Sequence, residues 1–292
     1  MPQEAHIDAV LAELDEGLAR GASADDLYRR WETQHWRATD LEFGRDRSDW
    51  LELGVERQTY LRWALTQFFE GEEAVTVSLA PFVDAAPTPE QRLLLATQLA
   101  DEARHAFLFH RLFAEVVGLA PTTAAGRLQA IAPDVTPGFR LLFSDLLGAA
   151  AETLRTDRSL DAFVRGVTLY HVVVEGTVAL AGQRHILDWL RRERVFPAFR
   201  EGFTNVARDE SRHVAIGVLL LREAIAADAE HAGAVTETVL ASIPAVLATL
   251  DPPGGDPLYY EAFGFTRDAV TEWALDSLRR KLGAVGVVID GL

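Results

Sequence analysis

An all-α fold is what this sequence predicts, and three observations carry that prediction. Apolar residues recur at spacings of three and four through most of the 292 residues. Alternating Val/Ile/Thr runs bounded by Asn-Gly or Asp-Gly turns are absent. No stretch has the composition of a flexible linker, which favours one domain over 1–292 built on a helical bundle, with its core at about 52–224. The elements follow in order. A long helical pattern covers 52–80 and is expected to stop near Pro81, with 84–87 as a turn. Thr88-Pro89-Glu90-Gln91 then offers an N-cap Thr, Pro in the first turn and Gln three residues after the cap, so a capping box starts a helix at 89. It runs to about Val117, where Gly118 and Pro121 end it. Helices near 138–154 and 159–190 come next, and Pro197 opens another that continues to Arg222. Two more, near 232–250 and 266–283, flank the turn-rich segment 251–257.

Composition removes several function classes. With 28 basic and 44 acidic residues the net charge is −16, which argues against nucleic acid and anionic membranes, both of which demand clustered cations. No uninterrupted apolar run approaches a bilayer's ~20 residues, and the N-terminus lacks signal-peptide order, so a cytoplasmic protein without a membrane span is expected. The chain has no Cys. Thiolate metal sites and cysteine nucleophiles are therefore excluded, and His and carboxylates remain as hard N/O metal ligands.

One repeat stands out: Asp101-Glu102-Ala103-Arg104-His105 and Asp209-Glu210-Ser211-Arg212-His213 are both Asp-Glu-x-Arg-His. On a helix, Glu and His at i, i+3 share a face. With 8 His in the chain, chance alone supplies roughly 0.6 of a Glu-x-x-His match. A third match, Glu32 to His35, lies outside the long helices and reads as incidental. The other two sit within apolar helical stretches, where charged groups need partners or a metal.

Each motif also follows a helix with a further mid-helix Glu. Glu72 lies 12 residues before Asp84 and Glu102 lies 14 after Thr88, so in a hairpin both sit about 18–21 Å from the turn. Glu175 and Glu210 are related in the same way around a turn near 191–197. Two such hairpins place four Glu and two His at one level of a four-helix core, the ligand set of ferritin-like dinuclear carboxylate sites. The plainer reading, a buried ionic network without metal, leaves charges costing several kcal/mol each when unpaired. Periodicity leaves the first Glu open among Glu70, Glu72 and Glu73.

The segment Trp36-Arg-Ala-Thr-Asp40-Leu-Glu-Phe-Gly-Arg45-Asp46-Arg-Ser-Asp-Trp50 resembles the N-terminal region of ribonucleotide reductase small subunits. Within that superfamily, Gly71-Glu-Glu-Ala-Val75-Thr76, Tyr170-His-Val-Val-Val-Glu175-Gly176 and Arg208-Asp209-Glu210-x-x-His213 are similar to the ligand-binding oxidases with a manganese–iron cofactor. The resemblance covers about 35–225. It implies Glu72 as the first ligand, with Glu102 and His105 completing one metal position and Glu175, Glu210 and His213 the other, Glu102 bridging. It also implies Mn in the first and Fe in the second (two Fe being the alternative), a long-chain fatty acid with its carboxylate on the metals, reaction with dioxygen, and a homodimer. An ether cross-link between Tyr170 and Val75 is implied as well. Helix geometry puts Val75 on the Glu72 face, whereas Tyr170 falls about 140° round from Glu175 on an α-helix.

The residue types suit that chemistry: carboxylates and imidazole stabilise high-valent Mn and Fe, which can oxidise a Val carbon that no side-chain base deprotonates. Asp209, like Asp101, is placed to accept the free N–H of a ligating His. Trp36 matches a small-subunit Trp beside the metals, as an electron relay or as plain core. Gln183 stands where the family often has Tyr. Phe68, Phe69, Phe107 and Phe109 read as bundle core or as walls of a lipid tunnel. The alternatives are a ribonucleotide reductase small subunit, whose usual radical Tyr position is Phe109 here and for which no Tyr-bearing acidic tail is expected, and a non-catalytic iron or lipid carrier.

Overall fold

The computed structural model describes residues 6–292. Where a helix starts is set by side chains that satisfy its first N–H groups, as Thr88 shows: its hydroxyl accepts from the Gln91 backbone N–H at 3.2 Å. The expected capping box is only half made. The Gln91 side chain donates instead to Glu223 at 2.7 Å, trading a local cap for a contact with another helix.

The helices are α1 Ile7–Arg20, α2 Ala24–Thr33, α3 Gly44–Glu52, α4 Val55–Ser78, α5 Ala80–Ala85, α6 Pro89–Leu112 and α7 Ala124–Ile131. The chain continues with α8 at 137–156, α9 at 160–193, α10 Pro197–Ala227, α11 His231–Thr249, α12 Leu258–Glu261 and α13 Arg267–Val285. Among the described residues there is no strand, as the all-α reading required. The first long helix stops near Pro81 as expected, at Ser78, but Pro81 does not begin a loop. It occupies the first turn of α5, where a missing N–H costs nothing, and helix persists to Ala85.

Three helices depart from α geometry. α6 ends in a π-turn, Phe113–Val117, closed by left-handed Gly118. α8 contains a π stretch at Leu141–Leu147, and α9 one at Thr168–Ala179. In the last, hydrogen bonds run from i+5 to i, and Thr177 Oγ1 follows suit by donating to Val172 O at 2.8 Å.

The core bundle comprises α4, α6, α9 and α10: α6 packs on α4 and α10, and α10 packs along the π stretch of α9. Gly217 permits that last approach, because a Cβ there would lie 2.2 Å from His171 Cβ. The N-terminus of α10 is capped from a distance. Asp46 on α3 accepts from the Phe199 and Ala198 N–H groups at 2.7 and 3.1 Å, and Asp49 accepts from Phe196 N–H at 2.7 Å.

Two helices, Leu160–Glu193 and His231–Thr249, are long and apolar enough to cross a membrane by length and composition alone. A search for an uninterrupted apolar run misses them, because single polar residues break the run without lowering the average much. In the first, 89% of the apolar window is buried inside the protein, as befits a bundle core; in the second, 39% is.

Candidate metal centre

Each core helix brings its carboxylate to one level. Glu72 on α4, Glu102 and His105 on α6, Glu175 on α9, and Glu210 and His213 on α10 are all buried. They form two groups, Glu72/Glu102/His105/Glu210 and Glu102/Glu175/Glu210/His213, with the donor atoms of each group within 4.8 Å of one another. Glu102 and Glu210 belong to both. His105 Nδ1 lies 3.4 Å from Glu72, 3.3 Å from Glu102 and 3.4 Å from Glu210; His213 Nδ1 lies 3.2 Å from Glu102 and 3.5 Å from both Glu175 and Glu210. Of the three candidates for the first Glu, Glu72 points inward. Glu73 instead pairs with His110 at 2.6 Å, and Glu70 is half-buried away from the groups.

Whether these residues fit metal ions is tested by their unused atoms. Six buried atoms, Oε2 of Glu72, Glu102, Glu175 and Glu210 and Nδ1 of His105 and His213, have no hydrogen-bond partner. Other buried polar atoms also lack a partner, but these six converge, one per candidate ligand. Hard N/O donors in this number suit two first-row cations.

Electrostatics without metal are strained accordingly. Burial, only partly offset by His105, pushes the Glu72 carboxyl up to about 8. Burial and the Glu210 charge raise Glu175 well above the usual carboxylate range. Burial also pushes Glu102 upward, but His213 and His105 outweigh it and hold that carboxyl well below its ordinary value. Burial lowers both imidazoles, yet Glu72 raises His105 and Glu102 raises His213, each to well above the normal range. Divalent cations would take over the task these protons perform.

The imidazole Nε2 atoms are held crosswise. Asp209, beside Glu210, lies 3.1 Å from Nε2 of His105, and Asp101, beside Glu102, lies 3.3 Å from Nε2 of His213. Each Asp thus lies within reach of the imidazole of the opposite motif. Trp36 Nε1 donates to Asp209 at 2.7 Å, and the Trp36 ring stacks near His105. Sequence reasoning missed a matching indole: Trp31 Nε1 donates to Asp101 at 3.0 Å. It also gave the motif arginines no role. Arg212 is buried and bonds Asp101 and Thr97, while Arg104 bonds Asp101 and Asp209.

Gln98 was missed too, although its place four residues before Glu102 on the same face was a signal. It donates to Glu175 at 2.8 Å and accepts from His171 at 3.0 Å. Burial pulls His171 down to about 3, and its two nitrogens lie 3.0 Å from Gln98 Oε1 and 3.3 Å from the Val167 carbonyl oxygen.

Tyr170 is brought to the cluster, its Oη donating to Glu102 Oε1 at 2.8 Å. The α-helical angle that set it apart from Glu175 does not apply, because both stand in the π stretch, where residues five apart are hydrogen-bonded neighbours. Val75 is buried one turn from Glu72 and helps line an open apolar cavity of about 140 Å³ that reaches Glu72, Glu102, Glu175 and Glu210. Phe68 lines this cavity. Phe69 and Phe109 are core, packed with Phe113, Phe199 and Phe203; Phe107, at 46% exposure, is neither core nor wall. Glu32 is exposed on α2 and His35 meets Arg104; neither belongs to the two donor groups.

The fold and this cluster together define a ferritin-like helical protein with a carboxylate–histidine site of the dinuclear type. Residues 21–132 match the family model described as ribonucleotide reductase, small chain. Among solved structures, a Tyr-to-Phe variant of the R2-like ligand-binding oxidase with aerobically reconstituted Mn/Fe cofactor is 22% identical, with a TM-score of 0.80 over 90% of this chain and 93% of its own. A Val-to-Ile variant with anaerobically reconstituted Mn/Fe cofactor is 23% identical, with a TM-score of 0.77 over 89% and 93%. The chain has the fold of the R2-like ligand-binding oxidases.

Proposed function

We propose that this protein is an oxygen-activating oxidase with a manganese–iron centre, two irons being the alternative. The observation that carries the proposal is the convergence of six unpartnered buried donor atoms, one from each of Glu72, Glu102, His105, Glu175, Glu210 and His213. Glu72, Glu102 and His105 would hold the first ion, and Glu175, Glu210 and His213 the second. Glu102 and Glu210 are shared between the groups. When bound, the metal pair supplies oxidising equivalents drawn from dioxygen.

The residues around the site have their own tasks. Asp209 and Asp101 fix the imidazoles so that Nδ1 faces the ions. The apolar cavity suits a long-chain fatty acid, whose carboxylate would face the ions, whose chain would lie along α4 and α9, and which would keep water from Val75. The Tyr170 phenol, already bonded to Glu102, can pass its proton to that carboxylate. An ether between the Tyr170 oxygen and a Val75 carbon forms with loss of one O–H and one C–H hydrogen, two electrons and two protons in all, which dioxygen accepts.

The test is direct. Metal-free protein is loaded with Mn(II) and Fe(II), exposed to air and digested after Arg. A linked species joining 63–92 to 166–184, lighter by two hydrogens, is expected by mass spectrometry. Separate peptides despite metal binding and oxygen consumption would remove the cross-link. No oxygen consumption would favour a carrier. The match of 21–132 supports a second reading, a ribonucleotide reductase small subunit. Against it, Phe109 fills the usual radical Tyr position and is buried among Phe68, Phe69, Phe199 and Phe203. A homodimer, as the resemblance implies, is checked by light scattering.

A further inference from the structure

The chain holds a single lysine, Lys281, and buries it: its side chain is 1% exposed on α13. Nζ donates to Ser277 Oγ at 3.1 Å and lies 3.8 Å from Asp15 Oδ1 on α1. Ser277, itself fully buried, donates to the backbone carbonyl of Gly176 at 2.6 Å. Gly176 directly follows Glu175 within the π stretch of α9. A Cβ at Gly176 would lie 2.9 Å from the His171 carbonyl oxygen of its own π turn, so the glycine is needed by that turn, and Lys281 Cγ and Val214 Cγ2, the latter next to His213, stand at contact distance from the same point, 3.4 and 3.6 Å. A chain of contacts thus runs from half-exposed Asp15 through Lys281 and Ser277 to the peptide after Glu175.

Stability alone does not account for it. Burying an ammonium is costly, and an apolar side chain of similar volume would pack there more cheaply. The π stretch, in contrast, is an uncommon backbone that persists where its surroundings hold it. We propose that Ser277 and Lys281 are positioning residues: they fix the turn at Gly176 so that the Glu175 carboxylate faces Glu102, Glu210 and His213, and occupancy of that second metal position is coupled to the Lys281 contact. This rests on the metal-site reading given above.

The experiment has two arms on the full chain. In the first, Mn(II) and Fe(II) binding is titrated with per-chain metal analysis and the Mn(II) resonance signal. Ser277→Ala is expected to weaken the second ion about 10-fold while the first is retained, Ser277→Thr to restore it, and Lys281→Met to fall between. In the second arm, Lys281 of the unaltered protein is followed with an amine-reactive reagent. Lys281 is the one side-chain amine and is 1% exposed, so its labelling reads how often the contact opens. Metal loading is expected to slow its labelling about 10-fold beyond any slowing of amide exchange in α11. Two ions of unchanged affinity in Ser277→Ala, with only the melting temperature lowered, would make the contact merely structural. Equal excess labelling with and without metal would overturn the coupling even if the variants fail to fold. Unaltered protein that binds no metal would sink the functional reading instead, a separate result.

Discussion

Glu72 and the Glu102–His105 pair stand on helices that are regular α throughout their neighbourhood, whereas Glu175 stands on a π stretch of twelve residues. Both halves use the same residue types, the same crosswise Asp and the same indole donor. They differ in how the carboxylate is delivered. In the first half, α periodicity suffices, and Val75 follows Glu72 by one turn. In the second, the wider turn of α9 carries Tyr170 and Glu175 to the same cluster, and a neighbouring helix, α13, bonds the backbone there. A regular helix delivers one side chain per turn to a given line; a π stretch delivers residues five apart, which is what a phenol and a carboxylate at one centre require.

Four outcomes would sharpen or break that comparison. The largest is expected from ligand loss. Glu175→Ala should weaken the second ion more than about 100-fold, beyond what loss of a supporting partner costs, and leave the first ion bound. Loss of both ions together would show that the halves are not separable.

Next is the crosswise support. Asp209→Asn should weaken the first position, through His105, by about 10–100-fold although Asp209 neighbours a ligand of the second; Asp101→Asn should do the converse. Metal titration resolves the two, and an effect on the same-motif position would overturn the pairing.

A smaller effect is the pH dependence of the metal-free protein. Glu72 and Glu175 are raised in the fold, so each costs stability once pH exceeds its unfolded value, through about 8 for Glu72. His105 and His213 are raised too, and their stabilising contribution is complete below about 6.5 and lost as pH rises through their folded values. Glu102 and Asp101 are lowered, so their contributions are lost only on acidification below about 4.5. The melting temperature of metal-free protein should therefore fall between pH 5.5 and 8.5, and the metal-loaded protein should change less. A flat metal-free profile would contradict the buried network.

The smallest effect is expected from the indoles. Trp31→Phe and Trp36→Phe each remove one hydrogen bond to a buried Asp, worth about 1–3 kcal/mol by thermal unfolding. Similar losses would support equivalence of the halves. A faster or slower oxygen reaction in Trp36→Phe alone would single out that indole.

What the sequence made legible follows from which interactions are local. The helix start at Pro89 rests on a cap and first-turn Pro written within four residues, and that at Pro197 on the first-turn Pro alone, and both hold. The level of Glu72 and Glu102 follows from counting along a hairpin, and that holds as well. Tyr170 was implied by the resemblance alone, because the counting assumed α geometry and nothing in Thr168–Ala179 advertises a π stretch. The crosswise Asp pairs, the capping of α10 by Asp46 and Asp49, and the Gln98 bridge to Glu175 join residues 77 to 153 positions apart. Such pairings appear only once α3, α6, α9 and α10 are packed.

Tyr170 and Val75 sit on different helices, 95 positions apart in a chain that has no cysteine. An ether between them would close a loop that a disulfide would otherwise have to close, one worth about 4–5 kcal/mol in unfolding free energy on chain-entropy grounds. Unlike a disulfide it cannot be reduced. The protein would mature once, and its first encounter with dioxygen would leave a permanent mark, so that the fraction of joined chains in a sample records how much of it has ever been fully assembled.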